Sequence, residues 1–244
     1  MKKIIFAVLT LLPSLVFANT GAVHLDKANY DLSDKASLQR GAATFMNYCF
    51  GCHSTQYQRY NRVAEDLGIP ADLMASNLIV NGAKIGDLME NSVHDKDAAK
   101  WFGAAPPDLT LVARVRGADW IYTYLRSFYV DPTRPFGVNN VVFPSVGMPH
   151  GRARLQGTPR AEFATHTVDG VETQQVVSIK SDGNGEMNNE EYDQTVLDLV
   201  NFLVYSAEPV KQERERMGFW VLGFIVIFFI FTVLLKKEFW RDVH

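Results

Sequence analysis

Cysteine is the residue this chain uses least: only Cys49 and Cys52 carry a thiol among 244 residues. A structural zinc site takes about four ligands at tetrahedral spacing. Two distant histidines would have to complete one here, and the sequence holds no His-x₃₋₅-His pair. The βαβ pattern that surrounds a thioredoxin-like dithiol is missing as well. Basic charge is not in excess either. Lysine and arginine number 24 against 27 aspartates and glutamates, a formal net charge of −3, which argues against nucleic acid as a partner. There is no internal repeat, and no charged residue interrupts the run from Gly218 to Leu235.

What the chain does have is Cys49-Phe50-Gly51-Cys52-His53. A Cys-x-x-Cys-His run reads as the covalent attachment site of a c-type haem, with the histidine as an axial ligand. The two thiols add across the two vinyl groups of one porphyrin edge. One helical turn between them spans that edge, and the next residue turns its imidazole toward the iron. A redox dithiol has its first thiol activated at a helix N-terminus, whereas this pair ends a helical pattern. A disulfide across the pair would leave His53 without a role.

The first residues combine Met1-Lys2-Lys3, an apolar core from Ile4 to Phe17 and a small-residue site at Val16-Phe17-Ala18. That is the pattern of an export signal over 1–18, with the mature chain starting at Asn19. Export suits c-type haem, which bacteria attach on the periplasmic side, and it removes the thiols from a reducing cytosol. The uncharged run 218–235 has another meaning. Its 18 residues, at about 1.5 Å each, span roughly 27 Å, close to the hydrocarbon thickness of a bilayer. Trp220 and Trp240 mark its two ends, where amphipathic rings favour the interface. The chain therefore divides into a signal peptide (1–18), a periplasmic haem domain (19–209), a charged connector (210–217), a transmembrane anchor (218–235) and a cytoplasmic tail (236–244). Between signal and anchor, 19 basic residues face 25 acidic ones, a net of −6. An acidic redox domain suits a basic soluble partner drawn in by long-range steering.

Within the exported body, Ser33 or Asp34 caps a helix running to about Tyr48, with Leu38, Ala42, Phe45 and Cys49 on one face. Asn188 or Asn189 starts a second, ending near Ser206, whose apolar face carries Tyr192, Val196, Leu199 and Leu203. The matching faces predict that the two pack together, closely at Gly41. A third helix is expected from Gly117 to Tyr129, and loops at Pro106-Pro107 and from Pro132 to Gly151. Asp169-Gly170 marks a hairpin, with Val176, Val177 and Ile179 as strand residues. The run Asp182 to Glu186 departs from a calcium loop, since Met187 stands where glycine is required, and reads as a polar turn.

An iron held by His53 has a second face. Met148, in a loop punctuated by proline and glycine, is the leading candidate for it. His150 is a rival, and an open site for a gas or peroxide is a third possibility.

Taken together, several stretches resemble the cytochrome c1 family of bacterial ubiquinol:cytochrome c oxidoreductases, the bc1 complexes. They are Arg40-Gly41, Cys49 to Ser54, Arg59-Tyr60, Asp66-Leu67-Gly68, Trp101-Phe102-Gly103, Pro106-Pro107-Asp108-Leu109, Gly147-Met148-Pro149-His150, Tyr192-Asp193, Asp198 to Leu203, Glu208-Pro209 and Leu235 to Glu238. The resemblance covers essentially the whole mature chain. It implies a mainly α, class I cytochrome c-like haem domain with long loop insertions and a small hairpin, plus one C-terminal transmembrane helix. It also implies one covalently attached haem c on Cys49 and Cys52, ligated by His53 and Met148. A carbonyl of Pro106 or Pro107 would orient His53, Arg116 matches a propionate partner, and Trp120 stands where the family often has a tyrosine. The chain departs from mitochondrial members in its Gly-Met-Pro-His loop and its Asp169-Gly170 hairpin.

The function so implied is electron transfer from a Rieske iron–sulfur protein to a cytochrome c. Cytochrome b and membrane lipid would be the neighbours, within a dimeric complex at the bacterial inner membrane. The complex is the enzyme, and this chain would supply its exit path. Competing readings are the anchored monohaem cytochrome of a terminal oxidase or nitric oxide reductase, a periplasmic thiol–disulfide oxidoreductase using Cys49 and Cys52, and a haem-based sensor.

Overall fold

The computed structural model describes residues 23–168 and 171–242. The signal expected over 1–18 and the Asp169-Gly170 hairpin tip lie outside the described residues. In chain order the elements are α1 (Lys35–Tyr48), β1 (Thr55–Arg59), α2 (Tyr60–Leu67), α3 (Ala71–Asn77), β2 (Leu88–Met89), α4 (Asp95–Phe102), α5 (Val112–Arg116), α6 (Ala118–Arg126), β3 (Phe128–Val130), β4 (Val138–Asn140), α7 (Ala153–Gln156), β5 (Arg160–Val168), β6 (Val171–Lys180), α8 (Asn189–Ala207) and α9 (Lys211–Phe239). Among the described residues helices dominate, and the strands form three antiparallel pairs, β1–β2, β3–β4 and β5–β6. This is the mainly α architecture that the motifs imply.

The centre of the domain is the contact between α1 and α8. Asp34 caps α1 by accepting the Ser37 amide, and Asn188 and Glu191 form a reciprocal capping box on α8. Both apolar faces are buried, with Leu38, Ala42 and Phe45 meeting Val196, Leu199 and Phe202. The Phe45 and Phe202 rings lie 5.5 Å apart. Gly41 makes this approach possible: a Cβ added there would fall 2.0 Å from the Asp198 carbonyl oxygen. Beside it, the buried Asp198 carboxylate accepts from Ser37 Oγ and Arg40 Nε, both at 2.6 Å. Bonds to an ionised group are stronger than neutral ones, so this pair holds the two helices in register.

The third helix differs from expectation. It ends at Arg126, not Tyr129, and Phe128–Val130 becomes a strand paired with Val138–Asn140 inside the segment expected to be loop. Side chains from elsewhere take the last carbonyls of α6. Asn140 Nδ2 donates to Tyr124 O at 2.8 Å, Arg152 Nη2 to Leu125 O at 3.1 Å, and Gln156 Nε2 to Arg126 O at 3.2 Å. Once those acceptors are satisfied, the aromatic and β-branched run Phe128-Tyr129-Val130 gains more from pairing.

The hairpin β5–β6 is long, pairing Arg160 with Lys180 at its base, and Phe163 packs edge-on against Tyr129 at 6.0 Å. The Asp182 segment is a turn: its carboxylate accepts the amides of Asn184 and Thr158 at 3.0 and 3.1 Å. Those bonds hold the Asp182 carboxyl below its usual pKa.

Residues 211–217 belong to the same helix as the apolar run, so α9 is a continuous 29-residue rod. At about 1.5 Å per residue it is long enough to cross a bilayer. Its apolar stretch is not buried against the rest of the described chain. Glu208 fixes the junction, accepting from Arg214 Nε at 2.6 Å, and Lys211 Nζ donates to Tyr30 OH at 2.6 Å.

Candidate haem site

The attachment motif sits where α1 runs out. Cys49 is its C-cap, still bonded through its amide to Phe45 O at 2.9 Å, and the amides of Cys52 and His53 both return to Cys49 O at 3.0 and 2.9 Å. This tight turn leaves Cys52 exposed and buries Cys49 and His53. A helix C-terminus disfavours a thiolate, and burial pushes the Cys49 thiol up to about 11. A dithiol oxidoreductase needs the opposite, a nucleophilic cysteine whose pKa is lowered.

His53 is held from below. The segment 107–110 runs beside 53–57, with Leu109 N bonded to Ser54 O at 2.8 Å and the Asp108 carboxylate accepting the Gln56 amide at 2.8 Å. That register brings the Pro107 carbonyl to His53 Nδ1 at 2.7 Å. Burial lowers the imidazole pKa, and only in part do the Pro107 bond and nearby Asp108 oppose it. A neutral ring that donates through Nδ1 keeps its Nε2 lone pair for a metal.

Met148 lies in the segment after β4, over a small apolar cluster of Phe128, Val138 and Val146. Tyr124 OH donates to its Sδ at 3.4 Å. This is not a free loop. Asn140 Oδ1 accepts the amides of Val142 and Phe143, Asn139 Oδ1 accepts that of Ser145, and Arg134 donates to Ser145 O. Ser145 itself takes the left-handed conformation, with φ of 64°.

Arg116 and Trp120 join the same surface. The Arg116 guanidinium stands 4.9 Å from the Trp120 ring centroid, and Trp120 stacks on Tyr124 at 4.9 Å. A cation, two stacked aromatic rings and a thioether thus form one continuous line from solvent to Met148. Spacing in the sequence did not point to Tyr124, Asn140 or Arg152, whose roles depend on chain folding from elsewhere.

His150 is buried, stacked on Phe128 at 5.0 Å and nearly parallel to it. Neither ring nitrogen has a partner among the described residues. Burial, reinforced by the Arg152 charge, lowers its pKa to about 4, against about 6.5 when unfolded. Between those values the unfolded chain binds the proton first, so stability rises with pH. The contribution is complete above about 6.5 and is lost as pH falls toward 4, by up to roughly 3 kcal/mol. Denaturant midpoints at several pH values are expected to show that slope, and His150→Gln to flatten it; an equal slope in both chains would contradict this.

The donor set fits a c-type haem: two thiols one turn apart, a neutral buried imidazole with its Nδ1 engaged, and a thioether on a braced segment. Comparison with known proteins agrees. The model of the Cytochrome C1 family matches residues 26–243. A cytochrome c1 of Allochromatium vinosum is 53% identical, with all of both chains covered. A protein of Nitrosomonas europaea named as the gamma subunit of ammonia monooxygenase is 44% identical over all of this chain and 99% of its own. A cytochrome c1 of Blastochloris viridis is 29% identical over 86% of this chain and 82% of its own. With the family model matching nearly its whole described length and the haem motif at the end of α1, the chain belongs to the cytochrome c1 family.

Proposed function

We propose that this chain carries one haem c, bound covalently through Cys49 and Cys52, and passes single electrons from a Rieske iron–sulfur protein to a cytochrome c. The carrying observation is the 2.7 Å bond between His53 Nδ1 and the Pro107 carbonyl, which leaves the Nε2 lone pair for a metal. When bound, the haem supplies reversible one-electron chemistry. The chain's own residues do the rest. His53 Nε2 and Met148 Sδ would hold the iron, which would leave no open position for a gas or a peroxide. Tyr124 OH, bonded to Met148 Sδ, fixes the thioether. Trp120, stacked on Tyr124 and edge-on to Phe143 at 6.4 Å, adds apolar surface on that side. Arg116, exposed beside them, is placed to meet a propionate.

The body faces the periplasm, with α9 in the membrane beside cytochrome b and the tail 236–244 in the cytoplasm, in a dimeric bc1 complex. A net charge of −6 on the exported body suits a basic cytochrome c acceptor. Purification from membranes in mild detergent is expected to bring down a multi-span cytochrome b and a Rieske protein, with haem on this chain reduced by quinol. Recovery of this chain with a different oxidase, and no quinol-driven reduction, would overturn the assignment.

A further inference from the structure

Arg152 has the largest of the fully buried side chains, with 1% of its surface exposed. Its hydrogen-bond partners among the described residues are neutral: Nε donates to Tyr192 OH and Nη2 to Leu125 O, both at 3.1 Å. The carboxylates of Asp193 and Asp26, which reach that end of α6, are both paired with Arg126, each at 2.6 Å. Burying a guanidinium with neutral acceptors alone is costly. Closing the end of α6 does not require a charge, because the carbonyls on either side are capped by the neutral amides of Asn140 and Gln156.

The position of the charge gives it another role. Gly151, one residue earlier, comes against the last carbonyl of α1: a Cβ there would lie 3.6 Å from Tyr48 O, next to Cys49. On the other side, the guanidinium carbon stands 5.9 Å from the Phe128 ring, which carries the stacked His150. Phe128 belongs to the cluster on which Met148 packs, and Tyr124, bonded to Met148 Sδ, meets the Phe128 ring edge-on at 5.2 Å. Both halves of the site therefore share one cation. The C-terminal dipole of α6 offsets about half a charge, and full burial leaves the remainder largely unscreened by salt.

We propose that Arg152 is the fixed buried cation of the haem pocket and raises the reduction potential of the iron, a role that rests on the haem reading above. Uptake of one electron removes one positive charge from the site, with no bond broken and no proton moved. A neighbouring cation therefore favours the reduced side of the couple.

The test is an equilibrium redox titration of the full-length, haem-loaded chain in detergent. Arg152→Gln and Arg152→Met are expected to shift the electron-exchange constant roughly tenfold toward the oxidised form, about 59 mV for one electron, at low and high salt alike. Arg152→Lys keeps the charge and loses the forked geometry, so its potential should stay within about twofold of the parent's constant. An unchanged potential in a loaded Arg152→Gln chain would overturn the proposal and leave Arg152 as a helix cap. Should the neutral variants fail to load haem, Arg152→Lys decides alone: a held potential supports the charge, and a tenfold fall assigns the effect to packing. Absence of haem from the parent chain would instead defeat the reading on which the proposal rests.

Discussion

Met148→Ala is expected to abolish the near-infrared thioether-to-iron band and lower the reduction potential by ~100 mV or more. A thioether favours the reduced metal, so its loss leaves either a weaker ligand or an open position. The surroundings of Met148 suit one fixed aim: Tyr124 OH reaches its Sδ at 3.4 Å, and Asn139, Asn140 and Arg134 brace the segment from β4 to Ser145. His150 is chemically able to ligate, since burial keeps it neutral down to about pH 4. Its ring is instead committed to a stack on Phe128. Survival of the band in Met148→Ala would pass the ligand role to another residue. A band lost in Met148→Ala and kept in His150→Gln would fix it at Met148.

Gly41→Ala should destabilise the fold strongly, because the added methyl has no room between α1 and α8. The new Cβ would lie 2.0 Å from Asp198 O, 2.7 Å from Asp198 C and 2.9 Å from Phe202 Cβ. Two of these atoms are backbone, so no side chain can swing aside. Relief requires α1 and α8 to part, which also lengthens the Ser37 and Arg40 bonds to Asp198. Overpacking of this kind costs about 3 kcal/mol or more, a fall of about 10 °C in Tm for a domain of this size. The attachment turn hangs directly on the end of α1, so haem loading should fall with it. Thermal unfolding of the detergent-solubilised chain checks this, and an unchanged Tm would show that the helices part freely.

Much of this architecture was legible in the sequence because its signals are local. Caps at Asp34 and Asn188 and the 3.6-residue spacing of Leu38, Ala42 and Phe45 define α1 and α8. The uncharged run from Gly218 defines the apolar part of α9. Gly41 could be singled out because only a close approach explains a glycine on a buried helix face. The end of α6 could not be read in the same way. Its last carbonyls are closed by Asn140, Arg152 and Gln156, all from later in the chain. For the same reason β4 was hidden inside a Pro- and Gly-rich stretch. Around the haem motif, Met148 stood out by its Pro- and Gly-punctuated loop and was strengthened by resemblance, Pro107 was reached through resemblance, and Tyr124 and Arg152 emerged only from packing. A buried arginine has no sequence signature that separates it from a surface one.

Intact-mass measurement of the mature native polypeptide puts the account to its most direct test. The expected result is one haem's mass added to the chain and retained under denaturing conditions, with Cys49 and Cys52 both resistant to alkylation. A polypeptide of unmodified mass whose two thiols alkylate freely would contradict it.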